Sequence, residues 1–267
     1  MPRIGTSGWH YKHWIGSFYP AKMPSIEFLD HYARFFDTVE LNGVFYRLPK
    51  PEAVKHWYRA SPKHFLFAYK ASRYITHMKK LHDPGEALRE MFTRADLLKE
   101  KLGPILFQLP HFFTKQAALL KSFLCDLPGG YDYVMEFRHP SWFDEEVYAL
   151  LEKRRVSLCF YDMRSVESPM AFPAKSVYVR FHGSEQQKYH GNYTSAALER
   201  WARRIRQWQR QGRPVYVYFN NDVGGYAVNN ARTLQRLLGV KVVPGEGIHD
   251  EGPFVRRRPI FSHLPSI

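Results

Sequence analysis

The sequence is short of cysteine and of acidic residues, and it has no long apolar run. Cys125 and Cys159 are its 2 cysteines. Both sit among apolar neighbours, so they read as buried thiols in a reducing compartment rather than as a disulfide framework. No Cys and His spacing suits a zinc site. No stretch approaches the roughly 20 apolar residues that a bilayer-spanning helix needs, so no membrane partner is expected. Met1 to Gly8 runs straight into a strand-like segment, without the charged and then apolar order of a secretory leader, and the expectation is a cytoplasmic protein. No motif for an organic cofactor occurs.

Acidic residues number 25 against 39 Lys and Arg, a formal net charge of +14. That excess favours an anionic partner such as phosphate, nucleic acid or an acidic metabolite; a basic surface that merely aids solubility is the competing explanation.

What the chain does have is a recurrence. Eight short apolar runs each break off at a residue fit for chemistry: Arg3 to Ser7, Thr38 to Asn42, Phe65 to Lys70, Ile105 to Gln108, Tyr133 to Arg138, Val156 to Asp162, Val177 to His182 and Val215 to Asp222. Helix-like stretches follow most of them, near Ser25 to Phe36, Pro51 to Ala60, Glu86 to Lys101, Lys115 to Leu124, Glu145 to Arg154, Ser195 to Gln211 and Tyr226 to Leu238. Strands alternating with helices predict βαβ units, and eight units predict a closed (β/α)₈ TIM-type barrel over residues 1–238. At 267 residues the chain is near the typical size of about 250 for such a barrel. Arg164 to Lys175 is punctuated by proline, so the sixth helix is expected to be irregular. Residues 239–267, with Gly, Pro and Arg256-Arg257-Arg258, read as a basic tail that wraps the barrel or is partly disordered.

Side chains alternate faces along a strand, so strand parity selects the lumen-facing residues. Val134, Glu136 and Arg138 share one face of the fifth run. Tyr178, Arg180 and His182 share one in the seventh, and Tyr216, Tyr218, Asn220 and Asp222 one in the eighth. The same rule turns Glu40, Asn42, Lys70, Gln108 and Asp162 inward near the tops of their strands. A buried polar group left unsatisfied costs roughly 1 to 3 kcal/mol, so this many together predicts a site where they satisfy one another around solvent or ligand. Glu136 with Arg138 has a competing reading as a core charge pair, Asp162 as a turn cap, Gln108 as a loop tie, and one of Asn220, Asn221 and Asp222 as a turn residue.

The expected chemistry follows from the residue types. Arg138, Arg180 and Lys70 form a cationic clamp for a phosphate or carboxylate. Glu136, Glu40, Asp162, Asp222 and His182 are the candidate acids and bases. Asn42, Gln108 and Asn220 are candidate substrate contacts. Trp9, Tyr46 and Trp142, with Tyr11 and Trp14, lie in loops at the mouth, suited either to stacking a sugar or base or to forming a lid. A metal is not expected beside three cations; Glu136, His182 and Asp222 are the set that would hold one. Hydrolase, lyase and isomerase chemistry on a phosphorylated sugar or nucleotide all remain open. The alternative is a non-catalytic nucleic-acid-binding module that uses Arg200, Arg203, Arg204, Arg206 and Arg210 on one helix.

Seven ordered motifs also carry a family resemblance: Gly5-Thr6-Ser7-Gly8-Trp9 with Tyr11 and Trp14, Phe18-Tyr19-Pro20, Val39-Glu40-Leu41-Asn42 with Phe45-Tyr46, Gln108-Leu109-Pro110, Glu136-Phe137-Arg138-His139 with Trp142, Arg180-Phe181-His182-Gly183, and Phe219-Asn220-Asn221. Over residues 3 to 238 the chain resembles the DUF72 (YecE-like) family. The resemblance implies a TIM-type barrel and a bacterial or archaeal cytosolic protein. It brings no established reaction and so no catalytic roles.

Overall fold

The computed structural model describes residues 1–163, 166–183 and 190–241. Most of the tail expected from 239 onward, and part of the loop that follows the seventh run, lie outside the described residues.

Eight strands build the barrel wall: β1 (Arg3–Thr6), β2 (Thr38–Leu41), β3 (Leu66–Lys70), β4 (Leu102–Gln108), β5 (Tyr133–Glu136), β6 (Ser157–Met163), β8 (Val177–Phe181) and β9 (Val215–Phe219). They pair in parallel in the order β1-β9-β8-β6-β5-β4-β3-β2. Where a sixth helix would stand, β7 (Val166–Glu167) turns back antiparallel on the end of β6, and no helix occurs among the described residues before β8.

The wall closes between β1 and β2 through one parallel bridge, Ser7 with Glu40. A phenol completes that seam. The Thr6 N–H donates to the Tyr32 hydroxyl at 2.9 Å, and that hydroxyl donates to the Thr38 carbonyl at 3.2 Å. A Cβ at position 5 would lie 2.3 Å from the Thr38 carbonyl oxygen, so Gly5 is what lets the two strands approach.

Around the wall stand α1 (Phe28–Ala33), α2 (Gly43–Tyr46), α3 (Pro51–Ala60), α4 (Gly85–Ala95), α5 (Ala117–Asp126), α6 (Glu145–Lys153), α7 (Ser195–Arg210) and α8 (Tyr226–Leu238). Two predicted helices are shorter as α-helix than their patterns. Ser25 to Glu27 and Asp96 to Lys101 are 3₁₀ turns flanking α1 and α4. The α7 helix shows the local logic most fully: the Ala197 N–H donates to Thr194 Oγ1 at 3.2 Å as its cap, and Leu198, Trp201, Ala202, Ile205 and Trp208 are buried against the sheet.

The apolar core has two parts. The larger lies between wall and helices; the smaller fills the lumen with Ala68, Leu106, Val134, Cys159, Tyr178 and Tyr218. This lumenal layer is the floor on which the polar mouth rests. Cys159 is buried within it, but Cys125 is exposed at the end of α5, contrary to the expectation of two buried thiols.

Candidate functional site

Directly above the lumenal layer, the next inward position of several strands is charged. Arg180 on β8 is fully buried and bridges two carboxylates. Its Nη2 donates to Glu40 Oε1 at 2.8 Å and its Nη1 to Glu136 Oε2 at 2.7 Å. Gln108 Oε1 accepts from the same Nη1 at 3.2 Å. Glu40 also accepts from Ser7 Oγ and from the Tyr178 hydroxyl, both at 2.7 Å.

A second tier lies nearer solvent. Arg138 Nε donates to Glu136 Oε1, its Nη1 approaches Met163 Sδ at 3.1 Å, and its guanidinium stacks 4.4 Å over the Tyr161 ring. Its Nη2 donates to His182 Nε2 at 2.6 Å. Asn220 Nδ2 lies 3.2 Å from Nδ1, so both ring nitrogens of His182 face N–H donors.

Lys70, at the end of β3, is 5% exposed. Its Nζ has Asn42 Oδ1 at 3.4 Å and the Phe45 ring centroid at 4.1 Å. Burial, and then the nearby Arg180 charge, lower its pKa from 10.5 to about 7. His77, edge-on to the Phe45 ring with centroids 5.1 Å apart, is held down to about 4 by burial and by the Lys70 and Arg73 charges. Burial alone would raise the Glu136 carboxyl, but Arg138, Arg180 and Lys70 outweigh it and hold the group at about 2.

These values revise one expectation. Glu136 is a fixed anion that orients two arginines, and a carboxyl held at about 2 is a poor proton donor at neutral pH. Arg180 is likewise enclosed by Glu40, Glu136 and Gln108, so the cations of the clamp that lie nearest the opening are Arg138 and Lys70.

Four other candidates lie away from the cluster. Asp162 faces outward: Trp201 Nε1 donates to its Oδ2 at 3.3 Å and the Tyr193 hydroxyl lies 3.4 Å from its Oδ1, both on the helix side. The reason is register. Asp162 pairs with Phe181, an outward residue, while Tyr161 pairs with inward Arg180. Burial raises the Asp162 pKa. Asp222 follows the end of β9, where strand parity no longer applies. It accepts from Trp14 Nε1 at 2.7 Å and pairs with His13 Nε2 at 2.8 Å, and burial lifts its pKa to about 6. It therefore anchors the first loop.

Trp142 is fully buried, stacked on Phe137 with centroids 4.8 Å apart, and its Nε1 donates to the Phe113 carbonyl at 2.6 Å. Trp9 is 8% exposed and packs edge-on against Trp57. Both tryptophans brace loops. Tyr46 alone of the three aromatic contacts is open, at 66%. It borders an apolar cavity of about 650 Å³ with Trp9, Tyr11, Asn42, Pro49 and Trp57, immediately beside Lys70's partner Asn42.

Glu136 Oε1 and His182 Nε2 lie 3.8 Å apart, but Asp222 is elsewhere. Among the described residues, no three His, Cys, Asp or Glu side chains are grouped to hold a metal ion. Asn221 serves the loop, donating to the Gly191 carbonyl and to Asn230 Oδ1.

The sequence reading missed Ser7, Phe45, His77 and Tyr161. Ser7 carries the same parity signal as its neighbours, whereas Tyr161 does not, because its strand is apolar or small on both faces. Phe45 lies in the short helix α2 and His77 in a π-helical turn, Tyr74–Met78, where the period of two does not apply.

A (β/α)₈ barrel whose C-terminal mouth is lined by interlocked charges is the class that the fold and the site define. More particularly, the chain belongs to the DUF72 family: residues 3–250 match the family described as "Protein of unknown function DUF72", which extends beyond α8. The chain is 27% identical over 249 residues to the UPF0759 protein YecE of Escherichia coli K12, covering 84% of this chain and 88% of that protein. Similarity to the UPF0759 protein YunF of Bacillus subtilis is 28% identity over 273 residues, 90% of this chain and 96% of the relative. Among solved structures, the DUF72 family protein TM1631 of Thermotoga maritima superposes with a TM-score of 0.82 at 27% identity, over 90% of this chain and 99% of the other. The Enterococcus faecalis DUF72 protein EF0366 gives 0.78 at 20% identity, over 90% and 96%, a likeness of fold. No helix among the described residues is long and apolar enough to cross a membrane.

Proposed function

We propose that the barrel mouth is the active site of an enzyme acting on a small anionic substrate, of the phosphorylated sugar or nucleotide kind, by hydrolase, lyase or isomerase chemistry. One observation carries this reading. Among the described residues Lys70, Arg138 and Arg180 meet two carboxylates, Glu40 and Glu136, so the mouth holds more basic groups than acidic ones in surroundings of low exposure. A ligand anion would complete that balance, gripped by Arg138 and Lys70 while Glu136 and Arg180 hold the frame. His182, set between Arg138 and Asn220, is the proton-transfer group best placed beside them. The free cysteines are compatible with a reducing cytoplasm.

The nucleic-acid alternative rests on the α7 arginines. Arg200, Arg203, Arg204, Arg206 and Arg210 line one shallow groove, but Arg204 pairs with Glu167 at 2.5 Å and Arg206 donates to the Leu237 carbonyl. Two of the five therefore already have structural partners.

Mass spectrometry of small molecules retained by the purified protein, followed by calorimetry with phosphorylated sugars and nucleotides, tests the proposal. Specific binding should be lost in Arg138→Ala and His182→Ala. If Glu136→Gln, Arg180→Ala and His182→Ala all bind and turn over an identified substrate as the unmodified chain does, the mouth is not the site.

A further inference from the structure

Lys70 does little for the fold in its present position. Among the described residues no carboxylate oxygen lies within 4.0 Å of its Nζ, and its hydrogen-bond acceptor is one amide oxygen at 3.4 Å. A buried ammonium ordinarily collects several close acceptors, because desolvating the charge is otherwise costly. The Phe45 ring and Asn42 fix where the amine points without neutralising it. Arg138 and Arg180 supply like charge in the same lumen, and Glu40 and Glu136, the carboxylates that could offset it, are bound by those arginines. An amine that is enclosed, oriented and short of acceptors beside fixed cations has the environment that turns lysine into a nucleophile.

We propose that Lys70 forms an imine with the aldehyde or ketone of an anionic carbonyl substrate. This rests on the anion-binding reading of the mouth and narrows the substrate class to phosphorylated or carboxylated carbonyl compounds. The Nζ lone pair forms the C–N bond as the carbonyl π pair moves onto oxygen. That oxygen takes the two protons that nitrogen gives up and leaves as water, so the C–O bond breaks as C=N forms. One further proton from solvent yields the iminium ion. Arg138 would grip the anionic group, and the iminium would draw electrons from the adjacent carbon, the step that lyase and isomerase chemistry both require.

The depressed basicity described above supports the idea independently. With a pKa of about 7, about half the Lys70 amines are neutral at pH 7. For a surface lysine near 10.4 the neutral fraction is only about one in 2,500. The groups facing this amine are Glu40, Glu136, Arg138, Arg180 and His77.

The test is borohydride trapping on the whole chain at pH 7, with glyceraldehyde 3-phosphate as the probe and peptide mass mapping as the readout. The expected product is a reduced adduct on Lys70 in at least tenfold greater yield than on any other lysine. Uncharged glyceraldehyde should give at least tenfold less, and trapping at Lys70 should rise with pH around 7 instead of around 10. Lys70→Arg should lose the adduct. Adducts scattered over surface lysines, or none at Lys70, overturn the imine. If phosphate still binds the unmodified chain in that case, the anion site stands without covalent chemistry; if it does not bind, both readings fall.

Discussion

Lys70 and Lys101 are both 5% exposed, and they sit at opposite ends of the same barrel. Lys101 enters β4 at the N-terminal rim. Its ammonium donates to the Tyr58 carbonyl at 2.6 Å, to the Ser61 carbonyl at 2.6 Å and to Ser61 Oγ at 3.1 Å, and it lies 4.6 Å over the Tyr58 ring. All three of its protons have acceptors. Lys70 ends β3 at the C-terminal rim with one acceptor at 3.4 Å. Solvent exposure is therefore the same and satisfaction is not. The difference separates a lysine that ties α3 to the wall from one held ready for a ligand. A polar groove of about 720 Å³ also opens at the N-terminal end, beside Lys99, Tyr131 and Arg154. It lacks what the mouth has, a buried cluster of opposed charges with a cation left over.

The largest effect should come from Arg180→Met, which leaves Glu40 and Glu136 buried beside each other without their shared cation. A loss of about 3–5 kcal/mol in denaturant unfolding is expected. A loss below about 1 kcal/mol would show that the cluster is not electrostatically interlocked.

Lys70→Met should act in the opposite direction. The unfolded amine binds its proton near pH 10.5 and the folded one only near 7, so the folded state is penalised at and below neutral pH. That penalty disappears as pH rises toward 10.5. The Met variant should be more stable than the unmodified chain at pH 7, by about 4 kcal/mol at most, and the gain should fade by about pH 10. A variant less stable at pH 7 would make Lys70 as structural as Lys101.

Lys101→Met removes three hydrogen bonds from buried acceptors and should cost about 1–3 kcal/mol. Anion binding, followed by calorimetry, should stay unchanged; weakened binding would join the two ends and dissolve the contrast. The smallest effect is expected from Asp162→Asn. Because that carboxylate faces Trp201 and Tyr193, ligand affinity should stay within about twofold while stability falls by about 1 kcal/mol. A large change in affinity would return Asp162 to the mouth.

Much of this site is legible in the sequence. The alternation Tyr178, Arg180, His182 and its counterpart Val134, Glu136, Arg138 can be read because a strand has a period of two and these runs place an apolar residue at each outward position. The sixth strand was less legible. Ser157 to Asp162 is apolar or small on both faces, so parity had no clear anchor, and the pairing of Asp162 with Phe181 had to decide it. Asp222 was misread for a related reason: the strand stops at Phe219, and the period stops with it. Trp142 and Trp9 looked available because loops are usually exposed, yet their rings are large enough to be recruited as loop braces.

By itself, the sequence determined the eight strands, the irregular sixth crossover and which end of the barrel collects polar side chains, since all three follow from local periodicity and turn chemistry. The tertiary structure decided which charges touch. Two residues from distant strands, Glu40 and Glu136, converge on Arg180, and among the described residues their convergence leaves Lys70 without a carboxylate partner. Protonation also belongs to this second level. The pKa values of Lys70 and Glu136 move in response to burial and neighbouring charge, and both exist only once the wall has closed.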